Sequence, residues 1–320
     1  MTEFRLPLGE WVAAFIDFIT EVLGGFFRVV RDVFAGFYDL VEFVLQTPPF
    51  WVVILAIAAI AWFAKGWKLA VGTAVGLVVI VGVDQWDNAM ATLALVLVAS
   101  AIAVVVAIPV GVLAARSDGA SRVIRPILDF MQTMPAMVYL IPALILFRVG
   151  VVPGIVATII FAMAPGVRLT ELGIRGVDRE VVEAGHAFGS SPWRILRQIQ
   201  LPLAMPSIMA GVNQVIMLSL SMVVIAGMVG AGGLGGDVVQ SLTRIDVGLG
   251  FEAGISVVIL AIILDRITGA LGAPRTRRPR RQRGDASAPT RHGSGDAGRG
   301  PGQPEPVAAG ARAEASAPTG

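Results

Sequence analysis

Between residues 10 and 45, Glu10, Asp17, Glu21, Arg28, Asp32, Asp39 and Glu42 follow one another at steps of 7, 4, 7, 4, 7 and 3. That spacing keeps them on one narrow stripe of a helix with about 3.6 residues per turn. Trp11, Phe15, Phe18, Phe26, Phe27, Phe34, Phe37 and Phe43 cover most of the remaining surface. The pattern predicts an amphipathic helix. It either lies in a membrane interface with its polar stripe outward or packs on the protein's own spans, and Gly24-Gly25 is where it would bend. Thr47-Pro48-Pro49 ends it, because proline cannot continue a helix. Asp17 and Glu21 interrupt its apolar stretch, so it does not read as a cleavable signal peptide.

Apolar runs follow. Residues 51–64 and 69–83 are short for a hydrocarbon core that asks for roughly 20 residues. Trp51, Trp62, Trp67 and Trp86 flank them and supply interfacial ends. Residues 89–115, 126–147, 152–167, 203–229 and 253–264 bring the expected spans to seven. Alternate loops carry Lys65, Lys68, Arg116, Arg122, Arg125, Arg175, Arg179, Arg194 and Arg197, whereas the opposite loops hold only Arg148 and Arg244. The positive-inside rule then places the N-terminus outside and the C-terminus in the cytoplasm. Residues 273–320 are rich in Pro, Gly, Ala and Arg and predict a disordered cytoplasmic tail. Its run Arg275, Arg277, Arg278, Arg280, Arg281 and Arg283 reads as topology setting and attraction to anionic lipid.

Composition agrees with the run pattern. Of 320 residues, 55% are apolar and only 15% are Asp, Glu, Lys or Arg, with a mean hydropathy of +0.77. Soluble domains carry about 25% charged residues. The net charge of +2 conceals a tail of nine Arg against four acidic groups, so the pI near 9.5 does not imply that the body binds nucleic acid. With no cysteine, disulfide frameworks, Cys-ligated metals and cysteine nucleophiles are excluded, and two histidines nearly exclude a multi-histidine site.

Gly230-Ala231-Gly232-Gly233-Leu234-Gly235 matches G-x-G-x-x-G in form only. It follows an apolar helix instead of a strand, which predicts a flexible connection between spans and not a dinucleotide site. Neither Lys65 nor Lys68 is followed by Ser or Thr, so no Walker A motif exists, and H-E-x-x-H, G-x-S-x-G and S-x-x-K are absent. The chain does not read as an enzyme.

The informative segment lies between the fifth and sixth spans. Glu183-Ala184-Gly185-His186-Ala187-Phe188-Gly189 is followed, nine residues later, by Ile199-Gln200-Leu201-Pro202. Small residues there let a short helix enter a groove, Glu183 offers a charge to a basic partner, and Gly189 can end the helix at positive φ. Ser191-Pro192 reads as the start of a second helix, and Pro202 and Pro206 are expected to interrupt the return to the membrane. This segment resembles the E-A-A-x3-G-x9-I-x-L-P signature of permease subunits of binding-protein-dependent ABC importers. Gly185 stands where that signature has alanine, a change expected to loosen the helix slightly. Residues 128–272, including Met134–Leu140, Ile208–Gln214, Leu220–Ala226 and Val258–Arg266, are similar to permeases of glycine betaine/proline importers.

The resemblance implies an all-α polytopic protein of the type I importer permease fold, with about seven transmembrane helices and an amphipathic N-terminal helix. The segments expected are 1–48 (amphipathic), 49–87 (two added spans) and 88–272 (permease core, with a coupling loop at 176–202); the tail 273–320, read from its composition, has no counterpart in the resemblance. It implies a role in osmoprotective import of glycine betaine, with choline, carnitine or proline as alternatives; an osmotically gated channel is the competing reading from a different class. Glu183, Ala184, Gly185, Gly189, Ile199, Leu201 and Pro202 become the candidate ATPase-coupling residues. The implied assembly, in a prokaryotic cytoplasmic membrane, is a homodimer with two ATP-binding subunits and an extracytoplasmic solute-binding protein. ATP and Mg would be held by the partner, with no cofactor in this chain. Polar residues within spans are costly and often functional, which makes Asn213, Gln214, Ser221 and Tyr139 candidate pathway residues; Ser219, Asp129, Gln132 and Thr133 are weaker ones. Helix–helix hydrogen bonding is an equal reading for Asn213 and Gln214, and Arg168 and Glu171, three apart, are expected to pair with each other.

Overall fold

A computed structural model describes residues 7–272, and the expected tail 273–320 with its arginine run lies outside them. The described residues are helical: α1 (Leu8–Gln46), α2 (Phe50–Lys65), α3 (Trp67–Gly82), α4 (Trp86–Arg116), α5 (Asp118–Thr133), α6 (Ala136–Phe147), α7 (Val151–Arg175), α8 (Arg179–Ala187), α9 (Pro192–Ile195), a π-helical turn (Leu196–Gln200), α10 (Leu201–Ser221), α11 (Val223–Gly227), α12 (Gly233–Arg244) and α13 (Val247–Gly272).

Pairs of contacts define two ends of the bundle. At one end Arg175 meets Asp118 and the Ala114 carbonyl, Arg116 lies 5.9 Å above the Trp193 ring, and Gly272 approaches Met209. Lys65 and Lys68 share a groove with Arg266 at this same end. At the other end Phe50 stacks edge-on against Trp86, and the Gly150 N–H donates to the Val229 carbonyl. The chain therefore passes between the ends as α2, α3, α4, α5–α6, α7, α9–α10 and α13, seven passes in agreement with the apolar runs. Four helical stretches are long and apolar enough to cross a membrane: 86–116, 151–175, 192–227 and 247–270.

The pass predicted over 126–147 is not one helix. α5 and α6 meet at a 96° bend around Met134-Pro135. Pro135 cannot donate to the α5 ladder and forces Met134 out of the α-region, to φ −70°, ψ 136°. The two pieces also differ in kind, since α6 is uniformly apolar while α5 carries six charged or hydroxyl side chains.

α1 runs unbroken through Gly24 and Gly25 and, at 39 residues, is about 58 Å long. It meets α2 at 102° across Thr47–Pro49, so it lies across the end that carries Trp86 instead of through the bundle. Phe27 packs edge-on against Phe147 at 5.6 Å, and the Gln46 amide reaches the Asp87 carbonyl at 3.3 Å. Phe27, Val30, Phe34 and Tyr38 thus face the protein, while Trp11, Phe15, Phe18 and Phe26 remain exposed. One face of this helix therefore packs on the protein's own helices, and its other face, with Phe37 and Phe43, is exposed. Its Arg28 and Arg31 add to the basic residues of that end.

α7 is the central element, between α4 and α10. A Cβ at Gly166 would lie 3.0 Å from both Ala107 and Val215, and one at Gly111 would lie 2.7 Å from the Val167 carbonyl. Small residues at these crossings let backbones approach where no hydrophobic effect drives association. The same device corrects the reading of the glycine run. Gly233–Arg244 is an ordered helix whose Gly235 would drive a Cβ to 2.1 Å from the Val223 carbonyl, and the Leu234 N–H donates to Thr92 Oγ1 at 2.9 Å. The run is a close-packing seam, not a flexible link.

Candidate functional site

α7 ends at Arg175, and the chain turns before Asp178 caps α8 by accepting from the Glu180 N–H at 3.0 Å. α8 stops at Gly189, φ +75°, where the Gly189 N–H donates to the His186 carbonyl at 2.9 Å and the Ser190 N–H to Gly185 at 3.1 Å. Ser191 caps the second helix through the Arg194 N–H, with Pro192 in its first turn. The π-helical turn follows, its last bond running from the Leu201 N–H to the Leu196 carbonyl. Pro202 accounts for it: Pro202 has no N–H for residue 198, and in an α-turn its ring would crowd that carbonyl. Pro202 and Pro206 therefore do not interrupt the return to the bundle; the widened turn absorbs the first, and α10 continues through the second to Ser221.

This loop has two faces. Inward, Gly185 is buried against Ile195 and Ile199, which ties α8 to the segment leading into α10. Leu196 and Leu201 join Ile174, Ala204 and Ile208 in one apolar cluster at the ends of α7 and α10. Outward, Glu183, Ala184 and Gly189 are exposed, as are Phe188 (89%) and Trp193 (59%). Pro202 is exposed at the start of α10. The candidate coupling residues thus separate into an outward set and an inward set, and the spacing of nine residues brings Gly185 to Ile199. The two aromatics were not singled out from the sequence; a large aromatic beside charges in a short connection between spans was the available signal.

A Cβ on Gly185 would lie 2.9 Å from Ile199 Cδ1, the far end of a flexible side chain. Gly185→Ala is therefore expected to leave stability within about 1 kcal/mol of the parent, because a small rotamer shift offsets the roughly 1 kcal/mol gain in helix propensity. Thermal unfolding of the purified protein checks this; a large destabilisation would show that Ile199 cannot move.

The four pathway candidates do not come together. Asn213 donates to Asp265 at 3.1 Å and accepts from Thr268, which places it in an α10–α13 hydrogen-bond network. Tyr139 donates to the Met131 carbonyl and braces the α5–α6 bend. Gln214 and Ser221, seven residues apart on α10, are exposed on one face; the Ser221 hydroxyl donates to the Met217 carbonyl at 3.1 Å. Ser219 is buried and bonded to Val215, while Gln132 and Thr133 are exposed.

Arg168 and Glu171 do not pair with each other. Each instead bonds to α5, because α7 turns both toward the charged side of that helix. Glu171, 3% exposed, accepts from Arg125 at 2.9 Å and Ser121 at 2.7 Å and is ion-paired with Arg175 at 3.1 Å. Arg168 binds Asp129, and Arg175 binds Asp118 at 2.7 Å. The Arg175 guanidinium holds the Asp118 carboxyl, at the very start of α5, below the usual carboxylate range. α5 is thus clamped along α7 by alternating charges, and Asp129 belongs to the clamp. No group of three or more metal-ligating side chains occurs among the described residues.

Comparison with known proteins supplies the context. The family described as binding-protein-dependent transport system inner membrane component matches residues 107–278. The chain is 48% identical to the glycine betaine/carnitine transport permease protein GbuB of Listeria monocytogenes, over 83% of this chain and 95% of that protein. It is 47% identical to the glycine betaine transport system permease protein OpuAB of Bacillus subtilis, over 82% and 94%. It is 48% identical to the glycine betaine/proline betaine permease ProW of Escherichia coli, over 83% and 75%. In fold it resembles a chain of the inward-facing MetNI methionine ABC transporter, with a TM-score of 0.55 at 22% identity over 59% of this chain and 94% of that one.

Proposed function

The chain belongs to the family of binding-protein-dependent transport system inner membrane components, and we propose that it forms the pathway of an ATP-driven importer for glycine betaine. It is a transport permease and not an enzyme. What carries the substrate assignment is the match, at 47–48% identity, to nearly the whole length of two permeases named for glycine betaine.

On this reading residues 88–272 are the permease core, 49–87 add two passes, and 1–48 form a front segment that lies on the outer surface. Two copies enclose the pathway. The end bearing Lys65, Arg116 and the 176–202 loop faces the cytoplasm, so the N-terminus is outside. There the outward set, Glu183, Ala184, Phe188, Gly189 and Trp193, meets a separate ATPase that holds ATP and Mg. A solute-binding protein delivers substrate to the opposite end.

The mechanism follows from the two faces of the loop. A partner that moves α8 also moves α10, because Gly185 and Ile199 are in contact and Leu196 is anchored in the α7–α10 cluster. ATP-driven closure of the two ATPases then draws the paired loops together and turns the pathway outward. The free energy of that coupling is carried by a two-state element and not by the loop alone. Gln214 and Ser221, on the exposed face of α10, line the pathway in this assembly, whereas Asn213 and Tyr139 hold helices in place. Quaternary ammonium selection usually relies on an aromatic cage. Tyr139 and Phe161 pack into one apolar cluster and Phe147 into another, so selection rests with the binding protein.

The test is uptake of labelled glycine betaine by cells with and without this chain, challenged by excess choline, carnitine or proline. ATP-dependent uptake that is lost with the permease and resists the competitors is the expected result. Unchanged uptake without the permease would overturn the betaine assignment, and suppression by one competitor would transfer it to that solute. Uptake without ATP and without a co-purifying ATPase would instead indicate an osmotically gated channel.

A further inference from the structure

We propose that the groove between α3 and α13 binds one anionic phospholipid, with its phosphate at Lys65, Lys68 and Arg266 and an acyl chain along the groove. The groove has a volume of about 470 Å³ and narrows along its length. At Gly76 the two helices touch, since a Cβ there would lie 2.8 Å from Ile259 Cγ2. One turn nearer the mouth, a Cβ on Gly72 would meet nothing within 4 Å. The walls beyond the mouth are aliphatic, chiefly Leu69, Ile262 and Ile263.

Charge selects the occupant. All three cations at the mouth are exposed, and none has an ionic partner among the described residues. The neighbouring carboxylate, Asp265, is engaged by Asn213 on α10. Trp62 and Trp67, close to Lys65 and Lys68 in the chain, are exposed, and exposed tryptophans at the ends of membrane helices favour the headgroup level. Basic pockets between membrane helices on the cytoplasmic side accept anionic headgroups; that this end is cytoplasmic rests on the orientation proposed above.

A second observation lies inside the groove. Thr73 is 1% exposed and its hydroxyl finds no hydrogen-bond partner among the described residues, although it lines this groove. It sits five residues beyond Lys68 on α3, about 7.5 Å deeper along the helix axis. A lipid whose phosphate rests on Lys68 brings a glycerol ester carbonyl below the headgroup, an acceptor for that donor. Free phosphate would satisfy the cations but leave both Thr73 and the aliphatic walls unoccupied.

Native mass spectrometry of the full-length chain with its co-purifying ATPase tests the proposal, by titration with phosphatidylglycerol, phosphatidylcholine and inorganic phosphate. The parent should bind one phosphatidylglycerol per chain with at least about a tenfold preference over phosphatidylcholine, as three nearby cations imply. Millimolar inorganic phosphate should not displace it. Lys65→Gln/Lys68→Gln/Arg266→Gln should erase the preference, and Lys68→Gln alone should reduce it by about fivefold. Gly72→Phe, which fills the groove without changing charge, should abolish retention of both lipids. Equal binding of the two lipids, displacement by phosphate, or retention unchanged in Gly72→Phe would each overturn the proposal. Retention is read without any transport step, so its failure is distinguishable from a wrong substrate assignment.

Discussion

Phe188→Asp combined with Glu183→Arg is expected to abolish uptake while leaving the permease folded. Phe188 is 89% exposed and Glu183 lies on the same outward face of the loop. Neither side chain contributes to an apolar cluster, so their replacement costs the isolated protein little. An aromatic that inserts into a partner is the type of residue whose loss costs 2 kcal/mol or more, about thirtyfold in affinity. Co-purification of the ATPase should fall by at least that factor, while thermal unfolding of the permease stays unchanged. Normal uptake by a fully assembled complex would sink the coupling role of this face. Gly189→Val would be a less clean test, since φ +75° strains any β-branched residue and disturbs the helix end itself.

Removing both arginines from Glu171 should strongly destabilise the bundle. In Arg125→Leu/Arg175→Leu, a carboxylate that is 3% exposed keeps only the Ser121 hydroxyl as donor. An uncompensated buried charge of this kind costs about 3–5 kcal/mol. For a chain of this size that corresponds to a fall of about 10 °C in melting temperature. Glu171→Gln should be milder, because Arg125 is 59% exposed and Arg175 retains Asp118 and the Ala114 carbonyl. The informative comparison is Arg125→Leu/Arg175→Leu/Glu171→Leu. Replacing the whole ionic group with apolar side chains should recover most of the loss, as it does for other buried ion clusters. A triple variant no more stable than the double would mean that packing, not charge, holds α5 to α7.

The sequence made the passes legible wherever the determining signal was local. Runs of apolar residues fixed α4, α7 and α13, and Thr47-Pro48-Pro49 fixed the end of α1, since each signal acts within a few residues. The same holds inside the loop: Gly189 and Ser191-Pro192 shape their helix ends through bonds that span three to five residues. The misreadings share the opposite property. Pro135 breaks the apolar stretch 126–147 locally, but where α5 then lies depends on its having a charged partner. The sequence displays Asp129 and Arg125, but not that Arg168 and Glu171 stand 39 and 46 residues away to receive them.

The glycines make the same division. In sequence a glycine run is permissive, and flexibility was the natural reading of Gly230–Gly235. Only in the assembled bundle does Gly235 become the one residue small enough to lie against the Val223 carbonyl. Gly185 likewise reads as a slight departure from a motif until Ile199 is found over it. By itself, then, the sequence determined a seven-pass helical membrane protein, its family resemblance and the position of its exposed connecting loop. These follow from hydrophobic period, proline and capping chemistry, which are written in consecutive residues. The tertiary structure decided which polar groups satisfy one another, where backbones touch, and which cations are left at the mouth of an apolar groove. Those depend on residues far apart in the chain, and in a low-dielectric bundle an unpaired charge or a misplaced Cβ costs too much for the arrangement to be arbitrary.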